Sequence, residues 1–151
     1  MSVRCLVVAG LFALPCLVEA QDEGRQPQQV VSAESVAFSA DGIPIHFEVR
    51  GERTAQPTLV LIHGWSHDRR FWEPHSTTLA ATYQIVAMDL AGFGRSGADR
   101  LVWTMEAFGK DVAAVVDTLG LERVVLVGFS MGAPVALEAA LQMTGVVVGS
   151  V

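Results

Sequence analysis

The sequence predicts an α/β fold built on a mainly parallel, doubly wound sheet that is preceded by an antiparallel hairpin. Short apolar runs alternate along the chain with longer segments of helical periodicity, which is the order expected of β-α-β units. The apolar runs lack a polar face, as do strands that helices cover on both sides. The chain has 151 residues, of which 51% are hydrophobic, so it is too apolar for intrinsic disorder and long enough for one domain.

The first 20 residues are predicted to be a signal peptide. Arg4 precedes the apolar run 5–18, and Ala20 completes a small-residue cleavage site. The run is shorter than the roughly 17–25 apolar residues that a membrane span needs, and no later run reaches that length. We therefore expect a secreted or periplasmic protein with no stable membrane span after cleavage. An uncleaved anchor and a lipid-modified Cys16 are the alternatives.

Charge and cysteine content exclude several classes of function. The formal net charge is −6 and Lys110 is the single lysine, so the chain lacks the basic patch that nucleic acids or anionic membranes require. Both cysteines lie within the predicted signal peptide, which leaves none for disulfides or metal ligands in residues 21–151. No pair of histidines has metal-ligand spacing, so we expect no metal and no cofactor.

The elements can be placed in order along the chain. Residues 21–32 are polar and predict a flexible lead-in, and the fold is assigned to residues 33–151. A hairpin is predicted around the turn dipeptide Asp41-Gly42. Strands are predicted at 36–38, 43–49, 58–63, 85–88, 124–127 and from about 146, and helices at 71–81, 105–119 and 131–143. The second helix has Thr104 as its expected N-cap and Gly120 as its terminator.

A candidate nucleophile follows the strand that ends at Val127. Residues 128–132 read Gly-Phe-Ser-Met-Gly and lead into a predicted helix, which is the G-x-S-x-G pattern in its required context. Gly128 and Gly132 leave room for a tight turn from which Ser130 projects above the sheet. Parallel sheets carry their sites at this end of their strands. We therefore predict that Ser130 is catalytic, against the alternative of a glycine-rich turn with an incidental serine.

A second loop could supply the oxyanion hole. His63-Gly64-Trp65 ends an earlier buried strand, and acyl transfer needs one backbone donor after the nucleophile and one from a neighbouring loop. We predict that the N–H groups of Trp65 and Met131 are these donors and that Gly64 permits close approach. His63 is interpreted as bracing the loop, and a role as catalytic base is the competing interpretation.

A third loop offers an alternative function. Residues 92–97 match G-x-G-x-x-G after a strand, which raises a dinucleotide-binding hypothesis. That fingerprint opens a helix directly, whereas here residues 98–103 intervene before the helix predicted from Thr104. Asp117, the acidic residue nearest the required spacing, falls inside a predicted helix instead of at a strand end. The dinucleotide-binding hypothesis is therefore ranked below acyl-transfer catalysis by Ser130.

Three motifs in order, at 63–65, 89–97 and 128–132, resemble the α/β-hydrolase superfamily, and the resemblance runs from about Val36 to the end of the chain. It implies that Ser130 is the nucleophile of an esterase-like enzyme and that a small-molecule ester or acyl compound is the substrate. It disfavours epoxide hydrolases and haloalkane dehalogenases, which carry Asp at this position. Ester hydrolases, carbon–carbon hydrolases and peptidases remain open, as does a non-catalytic binding module of the same fold.

One departure from that superfamily concerns the catalytic triad, whose order is Ser, acid, His. Glu138 is the only ionisable side chain after Ser130, and no histidine follows it before Val151. The sequence thus predicts an N-terminal, C-terminally incomplete part of the fold without its lid, last strands, triad acid and histidine. We expect such a polypeptide to be nearly inactive and to self-associate through a C-terminal edge strand.

Overall fold

A computed structural model describes residues 32–151, so the predicted signal peptide, Cys16 and the lead-in up to residue 31 lie outside the described residues. The strands are β1 (Ser32–Phe38), β2 (Pro44–Arg50), β3 (Thr58–Ile62), β4 (Ile85–Met88), β5 (Val124–Gly128) and β6 (Val147–Ser150). The helices are α1 (Glu73–Leu79), α2 (Met105–Thr118) and α3 (Gly132–Gln142), and a 3₁₀ turn at Arg69–Trp72 precedes α1.

The strands form one six-stranded mixed sheet in the order β1-β2-β4-β3-β5-β6. β1 pairs with β2, and β2 with β4, in antiparallel orientation, whereas β4, β3, β5 and β6 run parallel. The predicted hairpin and mainly parallel sheet are confirmed. Because β3, β4 and β5 are adjacent and parallel, the loops that follow them meet at one edge of the sheet.

The element boundaries differ from the prediction mainly at the sheet edge and in the first helix. β1 begins at Ser32, whereas the predicted strand begins at Val36. The first residues of β1 are exposed and carry no apolar pattern, so the sequence does not mark them as part of a strand. The first helical segment begins with a 3₁₀ turn, where the Asp68 side chain accepts a hydrogen bond from the backbone N–H of Arg70. Thr104 is the N-cap of α2, as predicted, and accepts from the N–H of Ala107.

The two faces of the sheet are covered unequally. The main hydrophobic core lies between the sheet and helices α2 and α3, and it includes Phe47, Ile62, Val112 and Leu126. The other face carries a small core of Leu61, Ala80, Ile85 and Ala87, against which Trp72 and Leu79 pack. Alternate residues of β3 and β4 enter the two cores, which explains why these strands are continuously apolar.

Within residues 32–151, β6 lies at the sheet edge and pairs only with β5, with Val147 opposite Val124. Self-association through this strand stays a prediction. Among the helices of the described part of the chain, none combines the length and apolarity needed to cross a membrane.

Candidate active site

The turn after β5 holds Ser130 in a strained backbone conformation. Its φ angle is 53°, in the left-handed region that residues other than glycine rarely occupy. The flanking glycines allow the turn to close, because a Cβ on Gly128 would overlap the backbone of Gly132, and one on Gly132 would overlap the carbonyl oxygen of Ile62. The N–H of Gly132 donates to the carbonyl of Phe129 at 2.8 Å and tightens the turn. A strand, a strained serine and a helix therefore follow one another at the carboxyl end of β5.

The loop after β3 lies directly against this turn. A Cβ on Gly64 would be 3.1 Å from the Cβ of Ser130 and 3.0 Å from the carbonyl oxygen of Phe129, so the absence of a side chain permits the approach. Within residues 32–151, the N–H groups of Trp65 and Met131 donate no backbone hydrogen bond outside the regular helices and strands. The structure therefore brings the peptide groups that carry these two donors close to Ser130.

His63 is fully buried and both of its ring nitrogens are engaged. Nδ1 lies 2.7 Å from the carbonyl oxygen of Gly64, and Nε2 lies 3.0 Å from the backbone nitrogen of Leu90. The Leu90 N–H can only donate, so Nε2 accepts and Nδ1 carries the proton. The Gly64 carbonyl belongs to the same peptide group as the N–H of Trp65. The histidine thus orients that peptide, and its ring has no free nitrogen for proton transfer.

The burial of His63 predicts a pH-dependent stability. Burial lowers the pKa of His63, and the hydrogen bond to the Gly64 carbonyl and the carboxylates of Asp89 and Asp68 only partly oppose this effect. As the pH decreases, the imidazole of His63 takes up a proton in the unfolded chain near the ordinary pKa of about 6.5, and in the native protein only at a lower pH. We expect the free energy of unfolding to fall as pH decreases from 7 through 6.5 towards the lowered native pKa. Chemical denaturation at several pH values should show a smaller slope for His63→Gln than for the wild type.

The exposed His75 of α1 provides the matched control for that measurement, as the variant His75→Gln. If His63→Gln and His75→Gln reduce the slope equally, burial of His63 is not its source.

A buried carboxylate organises the loop after β4. Asp89 is completely buried and accepts hydrogen bonds from the backbone N–H of Arg69 at 2.8 Å, the guanidinium of Arg69 at 2.6 Å and the N–H of Arg95 at 3.0 Å. Gly94 is required there, because a Cβ would overlap the Asp89 carboxylate. Glu34 of β1 pairs with both arginines, and the Arg69 hydrogen bond is the main cause of its lowered pKa. These contacts hold the loops after β3 and β4 together.

The glycine pattern at residues 92–97 opens no helix, because α2 begins only at Met105. Two of its glycines have packing roles instead. Gly94 accommodates Asp89, and Gly92, with φ of 79°, accommodates Trp103, whose ring would lie 2.9 Å from an added Cβ.

Aromatic side chains that the sequence does not predict as part of the site flank it. The rings of Phe129 and Phe71 stack with centroids 4.5 Å apart, and His67 meets both rings edge-on at 5.8 and 4.9 Å. His67 Nδ1 lies 2.7 Å from the carbonyl oxygen of Trp65. His67 and Phe71 lie on the segment after β3, and Phe129 lies on the turn after β5, so no short sequence pattern predicts that their rings pack together.

Glu138, the one acidic side chain after Ser130, does not join this site. Glu138 lies on the side of α3 that faces α2, where its Cβ would be 3.1 Å from a Cβ on Gly109. In the described range 32–151, no three His, Cys, Asp or Glu side chains are grouped so that they could hold a metal ion.

The chain matches a family model described as "Alpha/beta hydrolase family" over residues 59–151. Among curated proteins it is similar to the uncharacterized hydrolase YugF of Bacillus subtilis, with 33% identity over 106 residues, covering 70% of this chain and 38% of YugF.

Two solved structures show the same fold. The esterase RhEst1 from Rhodococcus sp. ECU1013 is 36% identical with a TM-score of 0.72, covering 78% of this chain and 44% of that one. An epoxide hydrolase from an endophytic Streptomyces is 30% identical with a TM-score of 0.71, covering 79% and 36%. The chain therefore spans less than half the length of these relatives.

Proposed function

Because the chain belongs to the α/β-hydrolase family, we propose that the protein is a serine hydrolase that cleaves carboxylic esters or related acyl compounds. One observation carries this proposal: Ser130 sits on a strained turn beside two available N–H groups, those of Trp65 and Met131. The similarity to a protein described as an esterase supports the same reaction class.

The proposed chemistry assigns a separate role to each part of the site. The Oγ of Ser130 attacks the acyl carbon, the leaving alcohol departs, and water then hydrolyses the acyl-enzyme. The N–H groups of Trp65 and Met131 stabilise the negative charge that develops on the carbonyl oxygen. His63 orients the Trp65 donor through the Gly64 carbonyl at 2.7 Å and adds no proton transfer.

The attacking serine also needs a base to accept its proton. No histidine follows Ser130 in the 151 residues, and His63 is fully hydrogen-bonded. We therefore expect a polypeptide of these residues alone to hydrolyse esters slowly, at the level that binding and oxyanion stabilisation provide.

Epoxide hydrolysis is the second reaction class among the relatives, and the residue at position 130 argues against it here. Epoxide-hydrolase relatives resemble this chain but are expected to use an aspartate at the turn, whereas this chain has serine. A non-catalytic binding module would keep the fold without using the serine. A dinucleotide-binding protein would need residues 92–97 to open a helix, which they do not.

The test is fluorophosphonate labelling of the protein as its gene encodes it, followed by peptide mass spectrometry. We expect one modified residue, Ser130, and loss of labelling in Ser130→Ala, because the probe reacts only with an activated hydroxyl. The matched control is Ser66→Ala, since Ser66 also has positive φ, at 57°, but does not lie on the turn between β5 and α3. Absence of labelling in a folded wild-type protein would favour the binding module.

Localisation and partners extend the same proposal. We propose export to the periplasm or the medium, supported by the charged and apolar pattern of residues 1–20. A small-molecule ester or acyl compound is the proposed partner, and we expect two copies of a polypeptide of these 151 residues to associate through β6.

A further inference from the structure

An apolar cavity of about 560 Å³ is lined in part by Trp65 and Met131, the two residues that carry the proposed oxyanion donors. Its volume lies within the range of ligand pockets. Residues that line it include Trp65, Phe93, Trp103, Met105, Phe108 and Met131. None of its lining residues carries a charge, so a bound group would find apolar and aromatic surface and no ionic partner.

Trp103 occupies a defined place in the wall of this cavity. Its ring fills the space left by Gly92, where an added Cβ would be 2.9 Å away, and packs on Phe108 with ring centroids 5.9 Å apart. The guanidinium of Arg100 lies 5.7 Å from the centroid of each ring. Arg100 is itself held by ion pairs, so the tryptophan is packed on a fixed support. Trp103 is 46% exposed, which places it at the mouth of the cavity and not deep within it.

The residues on either side of Ser130 face different surroundings. Met131 lines the cavity, whereas Phe129 stacks on Phe71 at 4.5 Å, on the side of His67. A carbonyl oxygen bound by the N–H groups of Trp65 and Met131 therefore has the apolar cavity as neighbouring space. One of the two groups on its carbonyl carbon then has this apolar surface to pack against.

We propose that the cavity receives the acyl group of the substrate and that Trp103 sets the largest acyl group that fits. This inference rests on the proposed function. The substrate class is an ester with an uncharged, apolar acyl group, aromatic rings included. A charged acyl group would lose its hydration in the cavity without gaining a partner, so it is disfavoured.

Binding is measured by NMR in the Ser130→Ala background of the full chain, which prevents turnover. The indole N–H signals of Trp65 and Trp103 report on the cavity, and that of Trp72, which packs in the core on the opposite face, is the internal reference. The probes are methyl phenylacetate, the bulkier methyl diphenylacetate and the charged monomethyl succinate. We expect methyl phenylacetate to shift the two cavity signals and to bind at least about tenfold tighter than monomethyl succinate.

Substitution of Trp103 tests its role in size selection. In Trp103→Ala, methyl diphenylacetate should gain at least about tenfold in affinity relative to methyl phenylacetate, and Trp103→Phe should change the ratio in the same direction by less. Leu101→Ala is the matched control, because Leu101 lies on the same loop, is 99% exposed and does not line the cavity. If Trp103→Ala does not fold, the ratio in Trp103→Phe decides.

Two outcomes overturn the inference: an unchanged size preference in the Trp103 variants, or tighter binding of the charged ester. Both are separate from a failure of the proposed function. If Ser130 is labelled but the protein shows no preference for apolar esters, only the assignment of the cavity to the acyl group is removed. Apolar binding without labelling of Ser130 removes the reaction and, with it, the assignment of the cavity to an acyl group.

Discussion

Arg100→Met is expected to lower the free energy of unfolding by about 3–5 kcal/mol, because it leaves a buried carboxylate without its cation. Arg100 is 7% exposed and Asp111 is fully buried, and their side chains are joined by hydrogen bonds of 2.5 and 3.0 Å. Asp111 also accepts from the Ser39 hydroxyl at 2.6 Å, a neutral donor that cannot replace the guanidinium. Asp41 supplies a second, more exposed carboxylate to Arg100. Urea denaturation of the variant measures the loss.

Two further variants separate ionic pairing from other effects of that substitution. In Arg100→Met/Asp111→Leu both buried charges are removed, so much of the lost stability should return. Lys110→Ala removes an exposed pair with Glu106 on the same helix, 2.7 Å long, and should change the free energy by less than about 1 kcal/mol. Equal losses for Arg100→Met and the double variant would contradict the explanation.

Gly132→Ala is expected to destabilise the fold by about 3 kcal/mol and to move Ser130. The added methyl group would overlap the carbonyl oxygen of Ile62 and lie 2.8 Å from that of His63. Both neighbours are backbone atoms of fully buried residues, so neither can rotate away as a side chain would. Thermal unfolding and fluorophosphonate labelling together measure the two effects.

Gly149→Ala is the matched control for this steric argument. Its added methyl group would lie 3.8 Å from the nearest atom, on the Val125 side chain, which is ordinary van der Waals contact. We expect a change within about 0.5 kcal/mol. A comparable loss in both variants would show that the conformational cost of replacing glycine in a folded chain, and not the contact with Ile62, governs the result.

The sequence predicts the central strands well and the start of the first strand, β1, poorly, for one physical reason. β4 was expected at residues 85–88 and is observed at Ile85–Met88, because a fully buried strand is a continuous apolar run that ends at a charge, here Asp89. β1 was placed at 36–38 but starts at Ser32, because an exposed edge strand is held by backbone pairing to β2 and needs no apolar side chains. Side-chain pattern therefore reports burial more directly than it reports pairing.

The sequence likewise predicts some features of the candidate site and not others. The proximity of Gly64 to Ser130 follows from adjacent parallel strands, and the glycine spacing around the serine is a local signal. The contact of Trp103 with Gly92 and the pairing of Arg100 with Asp41 are not local, the latter pair being 59 residues apart in the chain. Their formation depends on how loops and side chains pack after the sheet has formed, which no short sequence pattern encodes.

The unequal covering of the sheet divides the site into parts with different resistance to local opening. The turn at Ser130 leads into α3 and rests on the main core, whereas the 3₁₀ turn at Arg69–Trp72 rests on the small core and on the ion pairs of Arg69. Amide hydrogens of the 3₁₀ turn and α1 should therefore exchange with solvent before those of β5 and α3. We therefore expect Ser130 to lie in the more persistent part of the described fold, and the loop that carries Trp65 to adjoin the part that opens first.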